Sequence, residues 1–363
     1  MALLKALCSE IVKSRLDSRP LVSIMIPTYD RFDTLAQSIH SALSQKTDIP
    51  YEVVVVDNNI ENKQLCAQID NLILRFSDSR LSLIRNRYNL GMFGNWNQCI
   101  SLASSANMTI LNDDDILLPC WMQTISQFIG SSLFVTVLDS VLLPECRPYA
   151  GVSNHMDIIP KPVRSENISF ASLLAGNPVK GCLGALFHRE LALEMEGYDP
   201  VFYPTSDYAF TARYILAHGG VSIKYIASLY GIGLNESMKE ATVRGFIVND
   251  YVLRTSLINQ FASPSLISNS VGRTLSLLAA IDSIWNYKLV FNPGMSVVSV
   301  ASELFLLVNP VERGLILTLC RLLRFRVNRV LSVFWSIYAM LFIPTSTQQF
   351  NRALSLPRPF VRR

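Results

Sequence analysis

The sequence predicts an α/β fold in which a mostly parallel sheet is flanked by helices. Residues 21–26 and 51–56 are almost wholly apolar, as are strands that a sheet buries on both faces. Segments with apolar residues at helical spacing separate these runs, and such alternation is typical of a parallel sheet. Polar and acidic residues follow each run, at the carboxyl ends of strands, where sheets of this kind gather their ligands.

The elements follow one another in a regular order. A short amphipathic lead-in helix is expected over residues 1–20. The apolar runs then predict strands at 21–26, 51–56, about 81–84, 108–111 and about 133–138. Helices are predicted at 32–43, about 62–76 and about 94–103, and another from near Pro119. Residues 144–162 are rich in proline and polar groups, which predicts a loop. We expect three regions, 1–20, an α/β domain over 21–238, and a helical C-terminal region over 239–363.

Composition excludes several classes of protein. The 363 residues are 50% hydrophobic, and the seven cysteines are scattered without any CxxC spacing. This argues against a zinc cluster and favours reduced thiols in a cytosolic compartment. Residues 26–31, after the first strand, contain no glycine, so the dinucleotide motif GxGxxG is absent there, and no GxxxxGK[ST] occurs. A ligand would therefore be held by side chains and a metal rather than by a glycine-rich loop.

The run Asp113, Asp114 and Asp115 is the strongest local signal for a site. It follows the apolar segment 108–111, and chain of apolar character resumes at Ile116. Three like charges near a core repel one another, so a cation is expected beside them, and a divalent ion with oxygen ligands fits best. The alternative is a solvated acidic turn that caps the helix starting near Pro119.

Four ordered motifs make the chain resemble the family 2 glycosyltransferases. They are Val22-Ser-Ile-Met-Ile-Pro-Thr-Tyr-Asp-Arg31, Val54-Val-Val-Asp57-Asn58, Asn89-Leu-Gly91 with Asn95, and Leu111-Asn-Asp-Asp-Asp-Ile116. The resemblance covers about residues 20–235. It implies the GT-A fold and inverting sugar transfer from a nucleotide-sugar donor. It also implies Mg²⁺ or Mn²⁺ as cofactor.

The resemblance assigns roles to individual residues. Asp114 is the expected metal contact, with Asp113 near the ribose or sugar, although Asn112 replaces a common first aspartate. The Asp57-Asn58 pair matches the pair that holds the nucleotide base, and Asn58 leaves UDP, GDP and dTDP donors open. Asp57 has a helix N-cap as its alternative role. The nucleotide-sugar-binding residues are then Pro27, Tyr29, Arg31, Asp57, Asn58, Asn89, Gly91, Asn95, Asn112 and Asp113.

The second constellation contains the expected catalytic base. Gly181 to Arg189, the turn Gly197-Tyr198-Asp199 and Ser206-Asp207 occur in the family's order. Asp207 matches the aspartate that takes the acceptor proton, with Ser206 where glutamate is common. The alternative for Asp207 is a helix cap. Gly231 and Gly233 lie where many relatives carry an arginine and a histidine, so the usual histidine metal ligand is missing.

The C-terminal tail carries the positive charge of the chain. Nine arginines and no acidic residue lie between 313 and 363, which leaves 23 basic and 28 acidic residues elsewhere. Residues 330–343 form an uncharged run, too short to span a bilayer. We expect this run to lie in a membrane interface, with Trp335 and Tyr338 at headgroup depth, rather than to bind nucleic acid. A buried helical subdomain is the alternative.

These features together predict a peripheral enzyme on the cytoplasmic face of a bacterial membrane. The acceptor would be a glycan, lipid-linked, in surface polysaccharide synthesis of the O-antigen or capsule type. Two rival interpretations stay open, a sugar-nucleotide-binding scaffold without turnover and an integral membrane protein.

Overall fold

A computed structural model describes residues 9–13, 19–142, 164–232, 239–290, 294, 296–322 and 328–343. The chain divides into two compact units, each made of several segments. The first unit takes residues up to 167, 179–198 and 218–233. The second takes 168–178, 199–217 and the residues from 234 onwards. The boundary expected at 238 stays a prediction, and the loop expected at 144–162 lies outside the described residues.

The first unit is built on a six-stranded sheet with the order β1-β4-β3-β2-β5-β9. The four central strands are parallel, while β1 and β9 run antiparallel at the two edges. This confirms a mixed, mostly parallel sheet. The strands are β1 (Ser9–Lys13), β2 (Val22–Thr28), β3 (Tyr51–Asp57), β4 (Leu81–Asn86), β5 (Asn107–Ile110) and β9 (Phe187–His188).

Helices cover both faces of this sheet because their apolar residues recur at helical spacing. They are α1 (Phe32–Leu43), α2 (Lys63–Phe76), α3 (Gly91–Leu102), α4 (Trp121–Ile125) and α6 (Arg189–Glu194). In α1, Leu35 and Ile39 are fully buried against the core that β2 and β3 supply. Asn62 begins α2, since its Oδ1 accepts a hydrogen bond from the Leu65 N–H at 3.0 Å.

The expected lead-in helix is wrong where the structure describes it. Residues 9–13 form β1, which pairs with β4 from Ser9 opposite Asn86 to Lys13 opposite Leu83. Without β1 the free edge of β4 would present unpaired backbone groups, and this edge favours an added strand over a helix. The β-branched Ile11 and Val12 suit that strand, although they are 70% and 39% exposed.

A second, smaller sheet completes the first unit. Its longest strand, β10 (Gly220–Gly231), runs parallel to β7 (Phe134–Leu142). β10 is antiparallel to β6 (Ile116–Leu117) and to β8 (Ser165–Asn167). The strand β6 starts directly after the acidic run, so the two sheets fix the chain on both sides of Asp113–Asp115.

The second unit is helical. Its two longest helices, α8 (Glu240–Phe261) and α9 (Leu266–Val290), pack together, and the described elements around them are α5 (Phe170–Ala175), α7 (Ser206–His218), α10 (Val297–Ala301), α11 (Pro310–Leu322) and α12 (Asn328–Phe342). The helix α11 begins at Pro310, directly after Asn309. Asn309 Oδ1 accepts from the Glu312 N–H, and Glu312 accepts from the Asn309 N–H, each at 2.9 Å.

The expected position of two aromatic side chains in the tail is wrong. Trp335 and Tyr338 are 0% and 1% exposed, so neither is available to lie at headgroup depth. The Tyr338 hydroxyl shares a hydrogen bond of 2.9 Å with the Ser268 hydroxyl of α9. This contact satisfies the polar end of the ring inside the protein. In the described part of the chain, every helix is too short or too polar to cross a bilayer.

Candidate active site

Three strands bring the candidate site together at one edge of the main sheet. β2 ends at Thr28, β3 ends at Asp57, and β5 leads into the acidic run after Ile110. The Asn58 N–H donates to the Thr28 carbonyl at 3.0 Å, and Thr28 Oγ1 donates to Asp113 Oδ2 at 2.8 Å. Pro27 is buried within β2, next to this strand end.

Asp113 and Asp114 share their surroundings with Arg31. The Arg31 guanidinium donates a hydrogen bond to Asp114 and lies 3.9 Å from Asp113. Asp113 also accepts from the backbone N–H of Tyr29 at 3.4 Å. The two aspartates are only 6% and 7% exposed. The predicted grouping of Tyr29, Arg31, Asp113 and Asp114 is therefore present.

Asp115 faces the protein interior and is 1% exposed. Its Oδ1 accepts from the Gly231 N–H at 2.8 Å, and its Oδ2 accepts from Asn112 Nδ2 at 2.9 Å. The Asp115 carbonyl also accepts from the Ser38 hydroxyl at 2.8 Å. Asp115 thus joins the acidic loop to the end of β10, and Asn112 supports it.

The acidic run carries more negative charge than its surroundings favour. Burial and the neighbouring Asp114 raise the pKa of Asp113 to about 7, although Arg31 opposes this rise. Burial, again with Asp114, raises the pKa of Asp115 to about 8. The ionised forms of Asp113 and Asp115 are therefore poorly stabilised, first because burial removes water from them and second because Asp114 repels them, and added positive charge would offset both effects.

A divalent cation would supply that charge. Among the described residues, no cluster of three or more His, Cys, Asp or Glu side chains is arranged to hold a metal ion. Mg²⁺ commonly uses one or two carboxylates and completes its shell with water and substrate phosphates. The adjacent carboxylates of Asp113 and Asp114 fit that mode, while Asp115 does not, because its carboxylate faces the protein interior between Gly231 and Asn112.

Asp57 is buried in an internal ion pair. The carboxylate is fully buried and accepts from Arg85 Nε at 2.8 Å. It also accepts from the Asn59 N–H at 2.9 Å and from Asn59 Nδ2 at 2.8 Å. Arg85 continues to Asp70 at 2.8 Å. Through Arg85, Asp57 joins the end of β3 to β4 and α2.

Asn58 is held in a network of amides. Its Oδ1 accepts from Asn86 Nδ2 at 2.9 Å and from the Leu90 N–H at 3.0 Å. Its Nδ2 donates to Asn89 Oδ1 at 2.7 Å. Both oxygen lone pairs and one N–H are therefore engaged, which leaves a single N–H for a ligand.

The other predicted amide and glycine positions order the start of α3. Asn95 Oδ1 accepts from Asn86 at 2.9 Å, and Asn95 Nδ2 donates to the Val56 carbonyl at 3.1 Å. Gly91 begins α3 with φ +70°, a conformation that favours glycine. The side chains of this group tie β3, β4 and α3 together.

A cavity of about 180 Å³ opens beside this network. Tyr29 is 52% exposed, so its ring offers a surface on which a base could stack. Three residues predicted to bind the nucleotide sugar, Tyr29, Asn58 and Asn89, line this cavity. Its full lining is Tyr29, Asp30, Asn58, Asn59, Ile60, Glu61, Asn62 and Asn89.

Asp207 belongs to the second unit, unlike the other predicted site residues. It lies in the first turn of α7, and its Oδ2 accepts from Asn177 Nδ2 at 2.9 Å. The neighbouring Ser206 hydroxyl donates to the Asp199 carbonyl at 2.7 Å. The start of α7 is thus fixed by polar contacts on both sides of Asp207.

Sequence reasoning missed several residues that support the site. Arg85 and Asn86 end β4, but the sequence predicts that this strand ends near residue 84. With the correct strand end, the rule that ligands gather at strand ends would have identified both residues. Thr28 likewise ends β2, beyond the strand end predicted at residue 26. Asn177 carries no such signal, because its role depends on a residue 30 positions away.

The model of glycosyl transferase family 2 matches residues 23–189. WfgD of Escherichia coli, a UDP-Glc:α-D-GlcNAc-diphosphoundecaprenol β-1,3-glucosyltransferase, is 28% identical over 172 residues. The match covers 47% of this chain and 61% of WfgD. Across three curated relatives the chain spans from 50% to 63% of their length.

Two solved structures have a similar fold. The mannosyltransferase PcManGT of Pyrobaculum calidifontis, in complex with GDP-Man and Mn²⁺, has a TM-score of 0.51 at 16% identity. The comparison covers 91% of this chain and 88% of that one. TarS 1–349 of S. aureus, in complex with UDP-GlcNAc, also has a TM-score of 0.51, at 13% identity, and covers 88% of this chain and 91% of that one.

Proposed function

Residues 23–189 belong to glycosyl transferase family 2 and the chain has the GT-A fold, and from this premise we propose that the protein transfers a sugar from a nucleotide-sugar donor to an acceptor hydroxyl. The observation that carries the proposal is the pair Asp113 and Asp114 at the carboxyl ends of β2 and β5. Both carboxylates are buried, and burial raises the pKa of Asp113 to about 7, a combination that is frequent at functional sites.

The donor is proposed to lie along the edge of the main sheet. Its base would enter the cavity beside Tyr29, where the remaining N–H of Asn58 can donate to it. Its diphosphate would lie toward Arg31, whose guanidinium can pair with phosphate oxygens. WfgD takes UDP-Glc and PcManGT binds GDP-Man, so uridine and guanosine donors are both candidates, with dTDP as a third.

A Mg²⁺ or Mn²⁺ ion is proposed as cofactor, and Asp114 with Asp113 would hold it. When bound, such an ion offsets the negative charge that develops on the nucleoside diphosphate as it leaves. Support comes from the uncompensated charge of the acidic run and from the Mn²⁺ in the PcManGT complex.

Asp207 is proposed as the base in an inverting reaction. Its carboxylate would accept the proton of the acceptor hydroxyl as the oxygen attacks the anomeric carbon, opposite to the departing diphosphate. Asn177 donates to Asp207 Oδ2, and this hydrogen bond favours the ionised carboxylate that a base requires.

The acceptor is proposed to be a lipid-linked glycan at the cytoplasmic face of a bacterial membrane. The name of WfgD specifies a sugar on diphosphoundecaprenol, which is such an acceptor. Synthesis of a surface polysaccharide of the O-antigen or capsule type would use this reaction.

The proposal is tested by mixing the full chain with UDP-, GDP- and dTDP-sugars and measuring bound and released nucleotide. With Mn²⁺, one donor class should raise the Tm and be turned over. EDTA should abolish turnover. Asp114→Ala should lose at least about 10²-fold in rate, as loss of one preorganised electrostatic contact does.

Asp78→Ala provides the matched control, because Asp78 pairs with Arg80 at the surface, away from this edge. It should keep the wild-type rate. Full activity in EDTA or in Asp114→Ala would contradict the metal assignment. Donor binding without release of nucleotide would favour the scaffold instead.

A further inference from the structure

The helix α12 (Asn328–Phe342) has two apolar sides. One side packs inward, where Leu331, Trp335 and Tyr338 are 6%, 0% and 1% exposed. Successive residues of a helix are 100° apart, so the second side spans an arc of about 120° and its centre lies about 130° from that of the first. We call it the outer apolar face, and its residues are Val333 at 58% exposure, Phe334 at 49%, Ile337 at 41%, Met340 at 77% and Leu341 at 65%.

The outer apolar face is not part of the core of its own unit. The inner side of α12 is fixed by the hydrogen bond between Tyr338 and Ser268 and by close packing of the Tyr338 hydroxyl on Gly272. Rotating the helix to bury the outer face would expose Trp335 and Tyr338. A helix with a second apolar face beside its buried one needs cover on both faces, and the cover of the outer face is external.

The beginning of α9 adds to the exposed apolar surface next to α12. The Ser263 N–H donates to the Phe342 carbonyl at 2.7 Å, and Ser268 contacts Tyr338, so this part of the chain lies beside the C-terminal half of α12. Leu266 and Ile267 lie between these two contacts in the sequence and are 87% and 69% exposed.

The charge of the surrounding sequence indicates what kind of partner covers the outer apolar face. From 313 to 363 the chain holds nine arginines and no acidic residue, and four of them lie within residues 321–329, directly around the start of α12. A second copy would bring an equally basic segment to the same place, and like charges would repel. Nucleic acid would match the charge but leave five large apolar side chains in water. Anionic phospholipid supplies both phosphates and an apolar layer.

We propose that the outer apolar face of α12 docks on a bilayer that contains anionic lipid. Phe334, Ile337 and Leu341 would enter the boundary between headgroups and acyl chains, as one face of an interfacial helix does. This docking rests on the proposed function for its biological role, since a lipid-linked acceptor lies in a membrane. The docking itself needs no turnover.

The test uses the full chain and sedimentation with vesicles. Vesicles of phosphatidylcholine mixed with phosphatidylglycerol should bind the protein at least tenfold more strongly than phosphatidylcholine alone, because each arginine near an anionic surface strengthens binding about fivefold. The double variant Phe334→Glu and Leu341→Glu should bind the mixed vesicles at least tenfold more weakly than the wild type.

Leu74→Glu is the control, because Leu74 is a similarly exposed leucine, at 57%, on α2 of the first unit. It should bind as the wild type does. Thermal unfolding establishes that each variant is folded. If the double variant does not fold, hydrogen exchange of the wild type decides, and the amides of residues 333–341 should exchange more slowly with mixed vesicles than without vesicles or with phosphatidylcholine alone.

Three results would overturn the proposal. They are equal binding to neutral and mixed vesicles, wild-type binding by a folded double variant, and a dimer in size-exclusion chromatography that the double variant abolishes. Nucleotide release is measured with the same protein preparations in the absence of vesicles. Vesicle binding without nucleotide release would contradict the proposed function alone, and nucleotide release without vesicle binding would contradict the docking alone.

Discussion

At the scale of single residues, the polar side chains at the end of β3 use most of their hydrogen-bonding groups within the protein, and few remain for a ligand. Asp57 is neutralised by Arg85, and Asn58 uses both lone pairs of its oxygen within the protein. The two residues therefore hold the shape of the edge beside the cavity. A bound nucleotide base would therefore contact mainly the surface that Asp57 and Asn58 support, and to a smaller extent their side chains.

The amide network predicts a stability loss at Asn58. Asn58→Ala removes three hydrogen bonds and leaves the buried Asn86 amide without one of its acceptors, so we expect a loss of about 2–4 kcal/mol in the free energy of unfolding. Asn62→Ala, which removes the N-cap of α2, should lose only about 1 kcal/mol. Urea denaturation followed by circular dichroism compares them. Equal losses would contradict a central role for Asn58.

Two variants examine the base. Asp207→Asn has nearly the same shape but cannot take a proton, so kcat should fall by about 10²-fold or more while the Kd for donor stays unchanged. Asn177→Ala removes the donor that stabilises the ionised carboxylate, so the pKa of Asp207 should rise. The acidic limb of the rate profile should then move to higher pH.

The pH profile separates positioning from folding. Asn249→Ala is the control for Asn177→Ala, since Asn249 also donates to a neighbouring segment, at the Tyr203 carbonyl, without touching Asp207. It should leave the acidic limb in place. A donor Kd that rises as much as kcat falls in Asp207→Asn would instead make Asp207 part of the donor site.

The sequence could locate these residues but not their orientations. The positions of Asp113–Asp115 and Asp57 at strand ends follow from apolar runs alone. That Asp115 faces inward depends on the Gly231 N–H, 116 positions along the chain. The Arg85 side chain reaches Asp57 because β3 and β4 are neighbours in register, and strand order is not written in any local pattern.

At the scale of elements, the helix α8 is tied to the segments around it by a buried charge. Arg254 is 3% exposed, and its Nε donates to the Leu174 carbonyl of α5 at 2.9 Å. Its guanidinium lies 3.6 Å from Asp250, which in turn accepts from the Thr205 hydroxyl at 3.0 Å. Burial raises the pKa of Asp250 while Arg254 lowers it.

Arg254→Met tests that tie. It leaves Asp250 without its counterion, and because the Asp250 side chain is 24% exposed we expect about 3 kcal/mol, the lower end for a broken buried pair. Arg244→Met breaks a similar i,i+4 pair with Glu240, nearly three turns earlier on the same helix and in a more exposed setting, and should lose less than about 1 kcal/mol. Adding Asp250→Asn to Arg254→Met should restore part of the loss in urea denaturation. Equal losses for both arginines would contradict the argument.

Most elements could be predicted because they depend on local spacing. The helix at 32–43 and the strand from 51 agree with the expected bounds to within one residue. The expected helix over 1–20 failed at residues 9–13 because pairing with β4 outweighed local preference. The uncharged run 330–343 could be read from the sequence, but only the packing shows which side of α12 is inside.

At the scale of the whole molecule, the charge of the acidic run predicts a dependence of stability on pH. The folded carboxyls of Asp113 and Asp115 keep protons up to about pH 7 and 8, whereas in the unfolded chain they lose them near pH 4. The folded state therefore binds more protons in this window, and stability falls as pH rises through it. The loss is on the order of a few kcal/mol.

Thermal unfolding in EDTA measures this effect. The Tm should decrease between pH 5 and pH 8, and Asp113→Asn, which keeps the acceptor for Thr28, should weaken the decrease. Mn²⁺ with donor should raise the Tm most at the high end of this range. A wild-type Tm that rises steadily toward pH 8 in EDTA would show that the site is already neutralised.

The division of the chain into units has a consequence for how the protein is made. The second unit uses residues 168–178 and 199–217, but the helices on which they pack begin at residue 240. During translation, α5 and α7 leave the ribosome long before α8, α9 and α12 exist. Asp207 thus lies on a helix whose partners in the second unit are synthesised only from residue 240 onwards. A nascent chain stalled before residue 240 would carry the proposed base on an incompletely packed helix, so the proposed activity would require that α8 and the helices after it have first been made and have folded.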